Sequence, residues 1–232
     1  MELNIGNSIF PGLNDRNGLM LCGYEWGFSK DDQKLFESEQ GGIFSKDAVT
    51  IFSNKSPMYG ERAFKWRYDN RIIKWFEIWG HPLSREALGG DFEKCIVQTN
   101  WCNTEGHKIN GNYFQKLTAP EQLDNFIFHI QEFEPRLIFF MGSQMINILQ
   151  NQIVLERFSK IMGSPASRPL VIQKPFSGRR FKIAFQIFEK CDVVSLPHPS
   201  SSRGLSDEYI SLFKDEIGGL ISKFKKSKRI IS

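Results

Sequence analysis

The sequence predicts an α/β fold: three layers, α/β/α, around a mostly parallel central sheet of about four strands. Three observations carry this reading. Apolar runs of strand length recur along the 232 residues. Segments with apolar residues at helical spacing separate them, and each run stops at a glycine-rich, proline-rich or polar cassette that cannot continue a strand. Strands alternating with helices in this way form a sheet of parallel strands with helices on its faces.

Taken in order, the strand candidates are Leu19-Met20-Leu21-Cys22, Cys95-Ile96-Val97-Gln98, Leu137-Ile138-Phe139-Phe140 and Val193-Val194-Ser195-Leu196. A further stretch, Phe181 to Phe188, alternates apolar and polar residues, as a strand packed on one face does. Arg67 to Trp79 carries Ile72, Ile73, Phe76 and Trp79 at helical spacing. Pro120 to Phe133 reads as a helix with Thr118 or Ala119 as cap, proline in its first turn and Glu121 beside it. Ser143 to Gln150 and Asp207 to Phe224 read as helices too. Lys30 to Glu61 is irregular and holds Phe36, Phe44 and Phe52; a long aromatic loop inside a compact domain reads as functional. With no internal repeat and no low-complexity linker, residues 1–232 are expected to form one domain, ending in a basic tail at about 222–232 that serves as the solvated end of a final helix.

Composition narrows the class. Hydrophobic residues make up 41% and charged residues 24% of the chain, ordinary values for a globular protein. No apolar stretch approaches a membrane span, and Met1-Glu2-Leu3-Asn4 lacks the basic start and apolar middle of a signal peptide. The expected location is therefore intracellular, a bacterial cytoplasm, with no membrane partner and a monomeric state. Cys22, Cys95, Cys102 and Cys191 contain no C-x-x-C pair, and no two of the four histidines share a metal-ligand spacing. The cysteines read as core residues, and no metal, cofactor or disulfide framework is expected. The net charge of +4 permits a nucleic-acid partner without requiring one.

The strand ends carry the chemistry. The first run leads into Gly23-Tyr24-Glu25-Trp26-Gly27, where two glycines bracket a carboxylate. The second leads into Thr99-Asn100-Trp101-Cys102-Asn103, whose asparagine either caps a helix or offers a donor and an acceptor side by side. The third ends Met141-Gly142-Ser143. The fourth ends Pro197-His198-Pro199-Ser200-Ser201-Ser202-Arg203-Gly204, an imidazole held between prolines and followed by groups suited to phosphate. That turn reads equally as a polar surface turn or as an active-site loop at the end of a sheet strand.

In order and spacing these cassettes resemble the uracil-DNA glycosylase superfamily, and in layout its single-strand-selective monofunctional branch. The resemblance spans roughly Leu19 to Tyr209 and includes the helix bearing Trp75, Phe76 and Trp79. It implies hydrolysis of an N-glycosidic bond after the base is flipped into a pocket, as in base excision repair, with single- or double-stranded DNA as partner. Asn100 matches the asparagine that reads the polar edge of the base, and His198 the histidine that bonds its carbonyl oxygen as charge builds there. Glu25 falls where relatives carry an aspartate or asparagine that positions water. Gly23 and Tyr24 belong to the base pocket, and Phe44, with Phe28 and Phe52 as rivals, matches the stacking phenylalanine. Ser200, Ser202 and Arg203 hold phosphates. Leu205 either wedges into the vacated base stack or begins the apolar face of a helix.

The chain departs from the family pattern in three places. Trp26 stands where relatives carry proline, Ser201 replaces a second proline of the histidine loop, and the cysteine pairs of the iron–sulfur branches are missing. Uracil is the default base, with hypoxanthine, xanthine or an oxidised pyrimidine as alternatives. With no lysine in the cassettes, the reaction is expected to be monofunctional. The competing expectations are a nucleic-acid-binding module that has lost the chemistry, and a hydrolase of free nucleosides or nucleotides.

Overall fold

The structure, a computed structural model, describes residues 1–27, 47–106, 112–178 and 181–230. Four strands, β1 (Leu19–Gly23), β3 (Ile96–Asn100), β5 (Leu137–Phe140) and β8 (Asp192–Ser195), form the parallel heart of the sheet. They are the four apolar runs picked out above. Two antiparallel strands, β7 (Ile183–Ile187) and β6 (Leu170–Ile172), extend it, giving the order β3-β1-β5-β8-β7-β6. The sheet thus has six strands rather than about four. β7 is the alternating stretch, whereas β6 is three residues long with Leu170 and Val171 exposed, so neither length nor alternation marks it. A separate short pair joins β2 (Trp26–Gly27) to β4 (Glu105–Gly106).

Because strand side chains alternate, the sheet buries two faces. Leu19, Leu21, Ile96, Leu137, Phe139 and Val194 pack under α2 (Arg67–Ile78), α8 (Asp207–Ser211) and α9 (Lys214–Ser227). Met20, Cys22, Val97, Ile138, Phe140 and Val193 pack under α5 (Pro120–Phe133), α6 (Met145–Leu149) and α7 (Gln152–Met162). The result is the expected three-layer α/β/α architecture. α2 buries Ile72, Trp75 and Phe76, and each such side chain withdrawn from water contributes about 1.5–3 kcal/mol. All four cysteines are buried and unpaired.

Local signals set the helix ends. Pro120 occupies the first turn of α5, and Glu134 ends it in the left-handed region at φ 37°. Asn151 caps α7 by accepting from the Ile153 and Val154 N–H groups. The span from Asp207 to Phe224 is not one helix: the chain breaks at Leu212 and Phe213, between α8 and α9. The basic stretch beyond 222 is the end of the final helix: α9 continues through Ser227, and Lys223 pairs with Asp192 at 2.7 Å.

The N-terminal segment covers the exposed edge of β3, which would otherwise present unpaired backbone groups. Gly6 N–H donates to Gln98 O at 2.8 Å, and the Asn7 and Asn14 amides both donate to Ile96 O at 2.9 Å. His129, fully buried on α5, accepts the Asn4 N–H on Nε2 at 2.9 Å and lies 2.7 Å from Asn125 O through Nδ1.

Candidate active site

Parallel strands deliver their carboxyl ends to one edge, and open α/β sheets bind ligands there. Gly23 and Asn100 are register partners at the ends of β1 and β3. The Asn100 side chain lies against the Gly23 α-carbon, where any β-carbon would collide with Oδ1. Glycine at this position is therefore a steric requirement for the asparagine's place. The Tyr68 hydroxyl, from the first turn of α2, comes within 3.2 Å of the same point. Asn100 is only 5% exposed, and its Nδ2 has no hydrogen-bond partner among the described residues. An unmet buried donor costs about 1–3 kcal/mol, which a bound oxygen acceptor would recover.

His198 stands beside this group. Its ring lies 5.5 Å from Tyr68 and 6.2 Å from Tyr24, nearly parallel to the latter. Nδ1 accepts from the Ser200 and Ser201 backbone N–H groups, each at 3.2 Å. That fixes the neutral tautomer with its proton on Nε2, pointing away from the loop's own backbone. Burial pushes the imidazole pKa down to about 4. The loop is held from outside by Arg71 of α2, whose guanidinium donates to Pro199 O at 2.9 Å and also to Leu205 O.

Tyr24 fills the crevice between β1 and β5. Its ring packs where a Gly142 β-carbon would be and meets Tyr113 at 4.6 Å. It is 6% exposed, and burial pushes its phenol well above the usual range, against a hydrogen bond from the Gln144 backbone. Glu25 turns toward the other flank. Its carboxylate receives the Thr104 hydroxyl at 3.0 Å and an ion pair from Lys116 of α4 (Tyr113–Thr118), over Gly106.

Gly23, Tyr24, Asn100 and His198 are thus brought together, whereas the Glu25 carboxylate is engaged on the other flank by Thr104 and Lys116. Trp26 belongs elsewhere: its Nε1 donates to Asn4 and its ring lies against Gly6, so it braces the N-terminal segment. Ser200 and Ser202 are half-buried and Arg203 exposed, all on the loop surface. Leu205 does not stand ready as a wedge. It is 6% exposed, within the core formed with Tyr209 and Ile210, which is the alternative of a helix's apolar face. Phe52 is a core residue as well; Phe28 and Phe44 lie outside the described residues.

Tyr68, Arg71, Tyr113 and Lys116 were not visible as site residues in the sequence. Tyr68 and Arg71 sit on a recognisable helix, but nothing local indicates which neighbour its polar side meets. Compared with protein-family models the chain matches none, and it matches no curated protein.

Proposed function

We propose that the protein is a monofunctional DNA glycosylase that hydrolyses the N-glycosidic bond of a flipped uracil or another deaminated or damaged base. The observation that carries this reading is the pairing of two donors at one sheet edge: the unpartnered Asn100 Nδ2 and the His198 Nε2–H of a fixed neutral tautomer. Both suit carbonyl oxygens on the polar rim of a base. When the bond from C1′ to the ring nitrogen breaks, its electron pair leaves with the base, and negative charge grows on such an oxygen. A fixed donor there is worth about 3–4 kcal/mol in the transition state. Glu25 is the carboxylate that orients water toward C1′ and takes its proton as the new C–O bond forms. In this reading Ser200, Ser202 and Arg203, on the surface of the same loop, hold flanking phosphates.

Lys116 adds an amine next to Glu25, but one engaged with the carboxylate and so poorly placed to attack the sugar. The same ion pair favours a second reading, in which Glu25 is structural and the protein binds nucleic acid without cleaving it.

Incubation with oligonucleotides containing uracil, hypoxanthine or xanthine, followed by alkali, tests the first reading directly. Strand breaks at the lesion are expected, with no borohydride-trapped covalent complex. His198→Ala is expected to slow base release about 10²–10³-fold. Absence of breaks with every lesion sinks the glycosylase reading, and retained binding to DNA then selects the second.

A further inference from the structure

A shallow cleft of ≈ 700 Å³ opens beside the histidine loop, lined by Lys65, Arg67, Asn70, Arg71 and Lys74 on one side and Leu205 to Glu208 on the other. It does not include Asn100 or His198, so it is a surface separate from that group. Arg67, Arg71 and Lys74 follow one another at i, i+4 and i+7, a basic stripe about 10 Å long on one face of α2. Four cations meet two carboxylates there. Asp207 faces Arg71, and Glu208 is held below the usual carboxylate range by its own backbone N–H and the Ser206 side chain at the start of α8. Lys74 pairs with Glu77 at 3.0 Å, both largely exposed, a contact worth little. Lys65 and Arg67 are exposed and have no ion-pair partner among the described residues. One residue before Lys65, Phe64 is 37% exposed, with the Arg85 guanidinium 5.1 Å from its ring.

We infer that this cleft is the track for the phosphodiester backbone of a single DNA strand leaving the pocket, with Phe64 as a stacking face for an unpaired base. The inference rests on the reading of the neighbouring pocket as a base site, and it adds which surface takes the flanking strand and in what form. Cations spaced along a helix neutralise successive phosphates without reading sequence. An exposed aromatic ring beside them offers a face on which an unpaired base stacks. Arg71 links the two surfaces, because it lines the cleft and also holds the carbonyls of the histidine loop.

The test is binding of a lesion-free single-stranded oligonucleotide, read by fluorescence anisotropy over a range of salt concentrations. A variant with Lys65→Ala, Arg67→Ala and Lys74→Ala should bind more weakly, with the slope of log K against log salt shallower by about 2, since each single-strand phosphate contact contributes about 0.7. A control with Lys160→Ala, Lys182→Ala and Lys226→Ala removes the same charge from exposed positions elsewhere and should keep the native slope. Phe64→Ala should weaken single-strand binding and leave duplex binding unchanged. An unchanged slope in the cleft variant, or an equal loss in the control, overturns the track. Equal effects of Phe64→Ala on single strand and duplex overturn the single-strand assignment. Base release is scored separately: native salt slopes that depend on the cleft, without any base released, would leave the track standing and remove the glycosylase.

Discussion

His198 Nδ1 already accepts two backbone N–H groups, so a proton added there must displace both and face a buried surrounding. With its pKa near 4, the ring stays neutral across the range in which most enzymes work. Base release should therefore show no inflection near pH 6.5, the ordinary histidine value, and should fall only as pH drops toward about 4. A rate profile between pH 4 and 8 checks this; an inflection at 6–7 that disappears in His198→Gln would contradict it. Gly23 offers a second test. Its α-carbon is the seat of the Asn100 amide, and an added methyl meets Oδ1 in a packed layer. Gly23→Ala should cost about 1–3 kcal/mol in urea unfolding and should raise KM for lesion DNA as the amide is displaced. Asn100 and His198 could be placed from the sequence because each lies within two residues of an apolar run, so its position at the sheet edge comes with the strand; the turn of Glu25 toward Thr104 and Lys116 could not. Leu205 was ambiguous because an apolar residue just before a helix serves equally as a wedge or as core, and only its neighbours Tyr209 and Ile210 decide.

As an element, α2 does different work on each of its sides. Ile72, Trp75 and Phe76 anchor it to the sheet, Tyr68 stands between Gly23 and His198, and Asp69 receives Lys55 at 2.8 Å in an ion pair that is almost wholly buried. Arg71 reaches two carbonyls on either side of the Ser200–Gly204 turn and so fixes the loop that carries His198. Arg71→Ala should lower kcat about 10–100-fold, as expected when a reacting group is misplaced by roughly an ångström, with KM for short substrates changed little. Arg71→Lys should recover only part of the rate, because a single ammonium cannot span both carbonyls. A loss confined to KM would place Arg71 in binding alone. The apolar stripe of this helix could be read from its 3.6-residue period. Its polar duties could not, because they depend on contacts with other segments, from Lys55, 14 residues before Asp69, to Pro199 and Leu205, more than a hundred residues after Arg71. The α8 and α9 break was hidden for a related reason: Leu212 and Phe213 keep the apolar pattern across a bend.

At the scale of the whole molecule, the parallel strands and both helical layers followed from apolar runs alternating with helical periods. The strand count did not, since β6 lacks the burial that writes a pattern into sequence. Burial also links the molecule to pH. His198, His129 and His81 all have pKa values lowered by desolvation. Between their folded values and about 6.5 the unfolded chain binds more protons than the native one, so stability rises with pH through that interval. It should be complete above about pH 6.5 and decline toward pH 4, as urea midpoints at pH 7.5, 5.5 and 4.5 would reveal; a flat series would contradict it. Topology has a further, temporal consequence. The strand β1, second in the sheet, precedes all the others, yet both of its neighbours, β3 and β5, arrive much later in synthesis, and β8, which leads into the histidine loop, later still. The antiparallel β7–β8 pair, by contrast, can close locally as soon as it emerges. On the ribosome β1 must wait unpaired for its partners, and the Asn100–His198 group can assemble only after β8 and the histidine loop have followed.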